Sequence, residues 1–181
     1  MAPALMKARS TGAAVHRGRY TAEMPEDFVV FLIGMRLNCP WKVHKWLPIL
    51  RAMPQMLRWL AQHPEAGLLK WHSAWMQGPA VVQYWASFEQ LERFARAAEQ
   101  PHLPVWTWFN RAVRASGDVG IWHETYHVRA GEYECIYVNM PRVGLAAACV
   151  HAPIGSTGQS AARRIGANSI DQPALTPYPN P

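Results

Sequence analysis

The sequence is poor in the features that hold metal clusters, cross-link secreted proteins or span membranes. Its three cysteines, Cys39, Cys135 and Cys149, are odd in number and form no C-x-x-C pair. This argues against a disulfide framework and is typical of a reduced, cytoplasmic protein. No run of about 18 apolar residues occurs, so we expect no membrane span. The basic N-terminal stretch also lacks the apolar run of a secretory signal.

Acidic residues are scarce, with 12 Asp and Glu against 18 Lys and Arg and a net charge of +6. The excess lies near the ends of the chain, because residues 1–19 contain no acid whereas residues 20–149 are nearly neutral. A nucleic-acid-binding protein concentrates basic charge on its folded face, so we expect no nucleic-acid partner. The sequence has no Gly-rich nucleotide loop either, which leaves flavin or nicotinamide binding through such a fingerprint unsupported.

What the sequence does contain is apolar and aromatic. Half of the residues are hydrophobic and nine are tryptophan, a composition typical of a globular domain with an aromatic-rich interior. We predict a flexible basic N-terminus at residues 1–19 and one folded domain at 20–148. Residues 149–181 are rich in Gly, Ser, Ala and Pro without a period, which predicts a mobile low-complexity tail.

The periodicity predicts alternating strands and helices along the folded domain. Pro48 and Pro54 should kink the first helix or split it in two, and Ser87 with Gln90 forms a capping box for the second. The order is β-α-β-β-α-α-β-β, which predicts an α+β fold with a ferredoxin-like antiparallel sheet and its helices on one face. The predicted elements are strands at 27–38, 67–78, 80–87, 119–128 and 132–140 and helices at 41–62, 88–98 and 105–115.

One motif suggests a metal enzyme, because residues 123–127 read H-E-x-x-H. In zinc metalloproteases the two histidines of this motif lie on one helical face. Residues 119–128 are instead rich in β-branched and aromatic residues, which predicts a strand. In a strand, His123 and His127 would stand about 13 Å apart and could not share one zinc ion. We therefore expect no metal site.

As a strand, the same segment carries polar side chains on a definite face. Ile121, His123, Thr125 and His127 alternate with Trp122, Glu124 and Tyr126, so the two sets point to opposite faces. A sheet face that carries His and Thr indicates a polar-lined pocket. The alternative is that these side chains are hydrogen-bonding residues at a helix or subunit interface.

Several long stretches resemble one small family. These include "VVFLIGMRLN" (29–38), "VQYWASFEQLERFAR" (82–96) and "PHLPVWTWFNRAV" (101–113), and the resemblance covers essentially residues 18–148. The chain is similar to monooxygenase-like proteins related to a fumagillin-biosynthesis protein, in the dimeric α+β barrel superfamily. The resemblance implies a homodimer packed sheet against sheet, with a pocket in each subunit between its own sheet and helices.

For this pocket the resemblance implies oxidation of a small hydrophobic or aromatic substrate. A cofactor-free oxygenase needs a base to deprotonate a phenol and donors to stabilise the resulting oxyanion. We predict His123 as the base, with Arg36 and Asn139 as donors. The residues predicted to bind the substrate are Asn38, Trp46, Tyr84, His102, Trp106 and Tyr126.

Two other functions stay open at this point, and the sequence does not decide whether the protein is an enzyme. The superfamily includes haem proteins with an axial histidine, for which His102 or His123 would serve. The other alternative is a non-catalytic dimer that binds a small molecule. We expect no cofactor for the oxygenase. In a haem protein the haem would be bound non-covalently, since no C-x-x-C-H attachment motif is present.

Overall fold

The computed structural model describes residues 13–97, 107–111, 116–155 and 158–166, and the single residues 170, 172 and 176. Residues 107–111 are helical, and short helical turns lie at Pro64–Ala66, Gly144–Ala147 and Ala161–Arg164. The two longer helices are α1 (Val43–Gln62) and α2 (Phe88–Arg96). The strands are β1 (His16–Glu23), β2 (Phe28–Leu37), β3 (Leu68–Trp75), β4 (Pro79–Trp85), β5 (Val119–Val128), β6 (Tyr137–Met140) and β7 (Val150–Pro153).

The main sheet confirms the predicted ferredoxin-like α+β fold. Its four strands are antiparallel in the order β3-β4-β2-β5. The run β2-α1-β3-β4-α2-β5 thus places its first and third strands in the centre, which is the ferredoxin-like arrangement. The predicted hairpin is β3–β4, in which Trp75 pairs with Pro79. Residues 107–111 fall within the helix predicted at 105–115.

The two prolines inside helix α1 do not interrupt it. It is continuous from Val43 to Gln62 with Pro48 and Pro54 inside it, so the predicted alternative of two separate helices is wrong. Its buried residues recur at helical spacing, and their packing against the sheet outweighs the lost backbone hydrogen bonds. The buried residues of α1 are Ile49, Ala52, Met56, Leu57 and Leu60.

A second, three-stranded sheet was not predicted. Its antiparallel strands lie in the order β6-β1-β7. The strand predicted over 132–140 is wrong in extent, because only Tyr137–Met140 is a strand, and it pairs with β1. Strand β1 reads HRGRYTAE, which has no apolar alternation, so pairing with two distant segments is what makes it extended.

This second sheet also extends regular structure past the predicted domain limits. The limit at residues 19 and 20 falls inside β1, and Val150–Pro153 of the predicted tail forms β7. Further along, the Arg164 guanidinium donates to Glu134 Oε1 at 2.6 Å and to the Gly158 carbonyl at 2.9 Å. Over the described ranges, no helix combines the length and apolar character needed to cross a membrane.

The helix-facing core consists of two clusters at opposite ends of β2. One contains Met35, Ile49, Phe109 and Val119. The other contains Val29, Leu60, Trp85 and Leu91. The first lies at the end of β2 and the start of β5, and the second at the start of β2 and the end of β4. The middle of the sheet, between the clusters, is therefore where space remains under the helices.

Asp118 forms hydrogen bonds with the segment that precedes α1. Its carboxylate accepts a hydrogen bond from Lys42 Nζ at 2.7 Å, and its side chain is only 5% exposed. Its carbonyl oxygen accepts from the amides of Asn38 and Cys39 at 3.1 and 3.0 Å. The Lys42 hydrogen bond holds the pKa of the Asp118 carboxyl below its ordinary value of 3.8.

We expect Asp118→Asn to lower the melting temperature by several degrees at neutral pH, because it removes an ion pair beside the start of α1. A carboxyl whose folded-state pKa is depressed stabilises the protein above its unfolded pKa, and this contribution disappears as pH falls through the folded value. The difference between wild type and Asp118→Asn should therefore stay constant down to about pH 4 and shrink below it.

Thermal unfolding followed by circular dichroism across this pH range tests the expectation. Glu26→Gln is the matched control, because Glu26 is an exposed carboxylate outside the Lys42 ion pair. A melting-temperature difference between wild type and Asp118→Asn that stays the same at all pH values would show that the ion pair does not contribute to stability.

Candidate functional site

A cavity of about 830 Å³ lies between the four-stranded sheet and the helices. This volume is within the range of roughly 300–1,000 Å³ that is usual for small-molecule sites. Its walls are predominantly apolar, and the side open to solvent is bordered by the exposed Leu50, Trp71 and Trp75. The chemistry of the site therefore depends on the few polar side chains in its walls.

The floor of the cavity is a grid of side chains from all four strands. His123 pairs with Ile33, Ile33 with Val81, and Val81 with Ser73, so these residues form one row across the sheet. In the neighbouring row Thr125 pairs with Phe31. Four of these residues form the first row and two the second, and all six line the cavity.

The roof of the cavity is formed by α1 and α2. Apolar side chains such as Met53 and Leu91 make up most of it. Two charged side chains, Arg58 of α1 and Glu92 of α2, also line the cavity. The Glu92 carboxylate is 2.8 Å from the guanidinium of Arg96, one helical turn further along.

Among the described residues that line the cavity, His123 is the one histidine. It stands in the middle of β5 on the face that also presents Ile121 and Thr125, which confirms the predicted alternation. Its ring lies against Phe31 with 5.6 Å between ring centroids. Within the described residues its ring nitrogens make no hydrogen bond. The H-E-x-x-H sequence thus forms part of a strand and not of a helix. The His123 side chain is accessible to a ligand.

The structure does not group Arg36 with His123. Arg36 alternates along β2 with Met35, which packs toward α1, so Arg36 points to the outer face of the sheet and is exposed. Asn38 lies beside it across Gly120 and donates its side-chain amide to the Gly117 carbonyl at 2.9 Å. The predicted grouping of Arg36 with His123 in one pocket is therefore wrong.

Asn139 belongs to the other sheet. It lies in β6 with φ +53°, and its side-chain oxygen accepts a hydrogen bond from the Gly18 amide at 2.9 Å. This contact joins β6 to β1 where their register shifts between His16 and Arg19. Placing Asn139 in the cavity was wrong, because its segment pairs with β1 and not with β5.

Two predicted tyrosines also lie on the outer face. Tyr84 packs against Leu145 and Tyr137 in a cluster that covers one end of that face, and burial raises the pKa of its hydroxyl. Tyr126 is 50% exposed and donates to Glu124 Oε2 at 2.6 Å. This hydrogen bond raises the pKa of the Tyr126 hydroxyl. Neither tyrosine lines the cavity.

Three predicted site residues remain. One packs in the core, and the other two lie outside the described residues. Trp46 packs against the cluster around Met35 and donates its indole N–H to the Pro40 carbonyl at 2.8 Å. It supports the end of the cavity without lining it. His102 and Trp106 lie outside the described residues, so their predicted roles stay predictions.

The cavity also contains polar residues that were not predicted as site residues. Thr125 could have been found from the β5 alternation, because it shares the face of His123. Ser73 could have been found in the same way once the β3–β4 hairpin was placed. Arg58 carried no such signal, because a charged residue on an amphipathic helix is ordinarily on its solvent face.

Fold and site together define a ferredoxin-like α+β protein with a ligand-sized apolar cavity beneath its helices. The sequence model of the family described as Monooxygenase af470-like matches residues 28–145. The chain therefore belongs to the Monooxygenase af470-like family. The match includes all four strands of the main sheet, both roof helices and His123.

One relative and one solved structure extend this comparison. The protein named monooxygenase af470 from Aspergillus fumigatus is 32% identical over 152 residues, covering 70% of this chain and 52% of that protein. The chain thus spans about half the length of this relative. An aldoxime dehydratase crystal structure matches with a TM-score of 0.61 at 19% identity, covering 77% of this chain and 43% of that one, which is a likeness of fold.

Proposed function

We propose that this protein is a monooxygenase that oxidises a small hydrophobic or aromatic substrate in the cavity between sheet and helices. Family membership and the likeness to a protein named as a monooxygenase support the reaction class. The observation that carries the site assignment is the accessible imidazole of His123 in a predominantly apolar cavity. Such a cavity can hold an apolar substrate beside one base.

In the proposed reaction His123 removes the proton of a phenolic hydroxyl. The electron-rich phenolate then adds O₂ at a ring carbon, and the peroxide takes up the proton from the imidazolium. Loss of water from this hydroperoxide breaks the O–O bond and leaves a quinone. One oxygen atom ends in the product and the other in water, and the substrate supplies all the electrons. His123 thus acts as base and then as acid.

The cavity also offers a donor for the oxyanion. Thr125 stands two residues from His123 on the same strand face, and such neighbours are about 6.6 Å apart along a strand. A phenolate placed between them would accept a hydrogen bond from the threonine hydroxyl. We assign this role to Thr125 in place of Arg36 and Asn139, which lie elsewhere.

Oxygen uptake with a panel of phenols tests the proposal directly. Uptake should proceed without added reductant, flavin or metal, and labelled O₂ should leave one heavy oxygen atom in the quinone. A panel graded by size should show the best rates for phenols that fill the cavity. Phenol binding without oxygen uptake would contradict the oxygenase and favour the non-catalytic binding protein.

A haem protein is the second candidate, and one observation favours it. Among the described residues the His123 ring nitrogens have no hydrogen-bond partner, so one of them could bind iron, and the ring faces a predominantly apolar cavity, in keeping with histidine as a haem ligand. The residues present thus fit the group: His123 would hold the iron, and haem would supply oxygen activation. Titration with haemin should then give a sharp Soret band that is lost in His123→Ala.

The third candidate is a non-catalytic dimer that binds a small molecule. Pairing of two copies, implied by the family resemblance, would use the part of the outer sheet face that the second sheet leaves uncovered, where Tyr126 is exposed. Light scattering coupled to size-exclusion chromatography measures this pairing. A monomer at micromolar concentration would contradict it.

A further inference from the structure

Arg58 is unusual among the residues that line the cavity. It is the one Lys or Arg among the described lining residues, and Glu92 is the one acid. The Glu92 carboxylate is paired with Arg96 at 2.8 Å. Within the described part of the chain, Arg58 has no ion-pair or hydrogen-bond partner of its own. Among the described residues, the cavity therefore has one positive charge without a partner, that of the exposed Arg58 at its roof.

The surroundings of Arg58 strengthen its attraction for an anion. Met53, Pro54, Leu57 and Ala61 of the same helix line the cavity beside it. Arg58 is itself exposed, but the apolar wall keeps water from one side of it, so its guanidinium attracts a charge bound in the cavity more strongly than one in open solvent. Its planar fork also matches the two oxygens of a carboxylate.

We propose that the cavity selects an amphipathic organic anion, an apolar skeleton with one carboxylate or similar acidic group, and that Arg58 binds that group. This inference rests on the proposed function, since it names the class of substrate for the same cavity. Arg58 lies on the roof and His123 on the floor, so the bound acid directs the apolar body across the cavity toward the imidazole. Arg58 is thus a specificity-determining residue.

A matched pair of fluorescent probes tests this assignment. Anilinonaphthalene sulfonate and N-phenylnaphthylamine share one apolar skeleton, but only the first carries an anion. Both become fluorescent on entering an apolar site. We expect Arg58→Gln to weaken binding of the sulfonate about tenfold, the effect of one charge-assisted contact. Binding of the neutral probe should stay unchanged, and added salt should reduce the sulfonate's advantage in wild type alone.

Two control variants test whether a change in probe binding is specific to Arg58 and to the cavity. Arg51→Gln removes an exposed charge from the same helix outside the cavity lining, and it should change neither affinity. Ser73→Trp places a large side chain in the cavity from an exposed position of edge strand β3. It should abolish binding of both probes while the protein stays folded by circular dichroism.

The outcomes separate this inference from the proposed function. If the neutral probe binds and Arg58→Gln leaves sulfonate binding unchanged, the anion anchor is wrong while the cavity assignment stands. An equal loss in Arg51→Gln would likewise overturn it, because the effect would then be general charge. If wild type binds neither probe, or Ser73→Trp binds both, the cavity assignment fails and the inference fails with it.

Discussion

Replacing His123 with Ala should lower the rate of oxygen uptake by about 10²–10⁴-fold, the usual contribution of a general acid–base residue. The side chain is the only imidazole among the described residues that line the cavity, so no other histidine there can take over proton removal. Because Ala leaves the apolar walls in place, substrate affinity should change little. The loss should therefore appear in kcat and not in KM.

His127→Ala is the matched control for this experiment. His127 stands on the same face of β5, but its ring packs against Phe88, with 5.0 Å between ring centroids, and it does not line the cavity. Its replacement should leave the rate within a factor of about three, consistent with a small effect of distant surface changes. Equal losses in both variants would show that strand damage, and not a lost base, lowers the rate.

Chemical rescue sharpens the same test. The position of His123 is exposed to the cavity mouth, so free imidazole can enter the space that Ala leaves. Added imidazole should restore part of the activity of His123→Ala and should not stimulate wild type. Absence of rescue together with full substrate binding would contradict the role of His123 as a base.

Replacing Trp85 with Ala should lower the free energy of unfolding by about 3–5 kcal/mol, the usual cost of truncating a buried aromatic residue. Trp85 is completely buried and packs with Val29, Leu60 and Leu91 at one end of the cavity. Its indole N–H donates to Gln83 Oε1 at 2.8 Å. Removing the ring would leave both a void and a buried amide oxygen without its donor.

Urea denaturation followed by circular dichroism measures this loss, and Trp75→Ala is the control. Trp75 is also a strand tryptophan facing the helices, but it is 77% exposed. Its replacement should change the free energy of unfolding by no more than about 0.5 kcal/mol. Comparable destabilisation by the two variants would show that the Trp85 cluster is not the stabilising core at this end of the sheet.

Local patterns in the sequence were sufficient for the main sheet and its helices. The alternation in β5 placed His123 and Thr125 on one face, because successive side chains of a strand point in opposite directions. The Ser87 half of the predicted capping box is formed, its hydroxyl accepting from the Gln90 amide at 3.2 Å. The Gln90 side chain instead donates to the Glu65 carbonyl at 3.4 Å. The strand alternation and the Ser87 cap depend on residues a few positions apart, so a single sequence contains the information they require.

The same alternation argued against one predicted site residue. Along β2, Phe31, Ile33 and Met35 share a face, which places Arg36 on the other one. The prediction of Arg36 as an oxyanion donor relied on residue type and not on strand geometry. Applying the period of two to β2 as well as β5 would have removed it from the site.

What the sequence by itself determined is therefore the ferredoxin-like sheet, the strand nature of H-E-x-x-H and the face that carries His123. Only the tertiary structure decided that β1 pairs with β6 and β7, which removed Asn139 from the site. It also brought Arg58 of the roof to the same cavity as His123. Pairing between segments more than 100 residues apart depends on long-range burial and backbone hydrogen bonds, which no local period encodes.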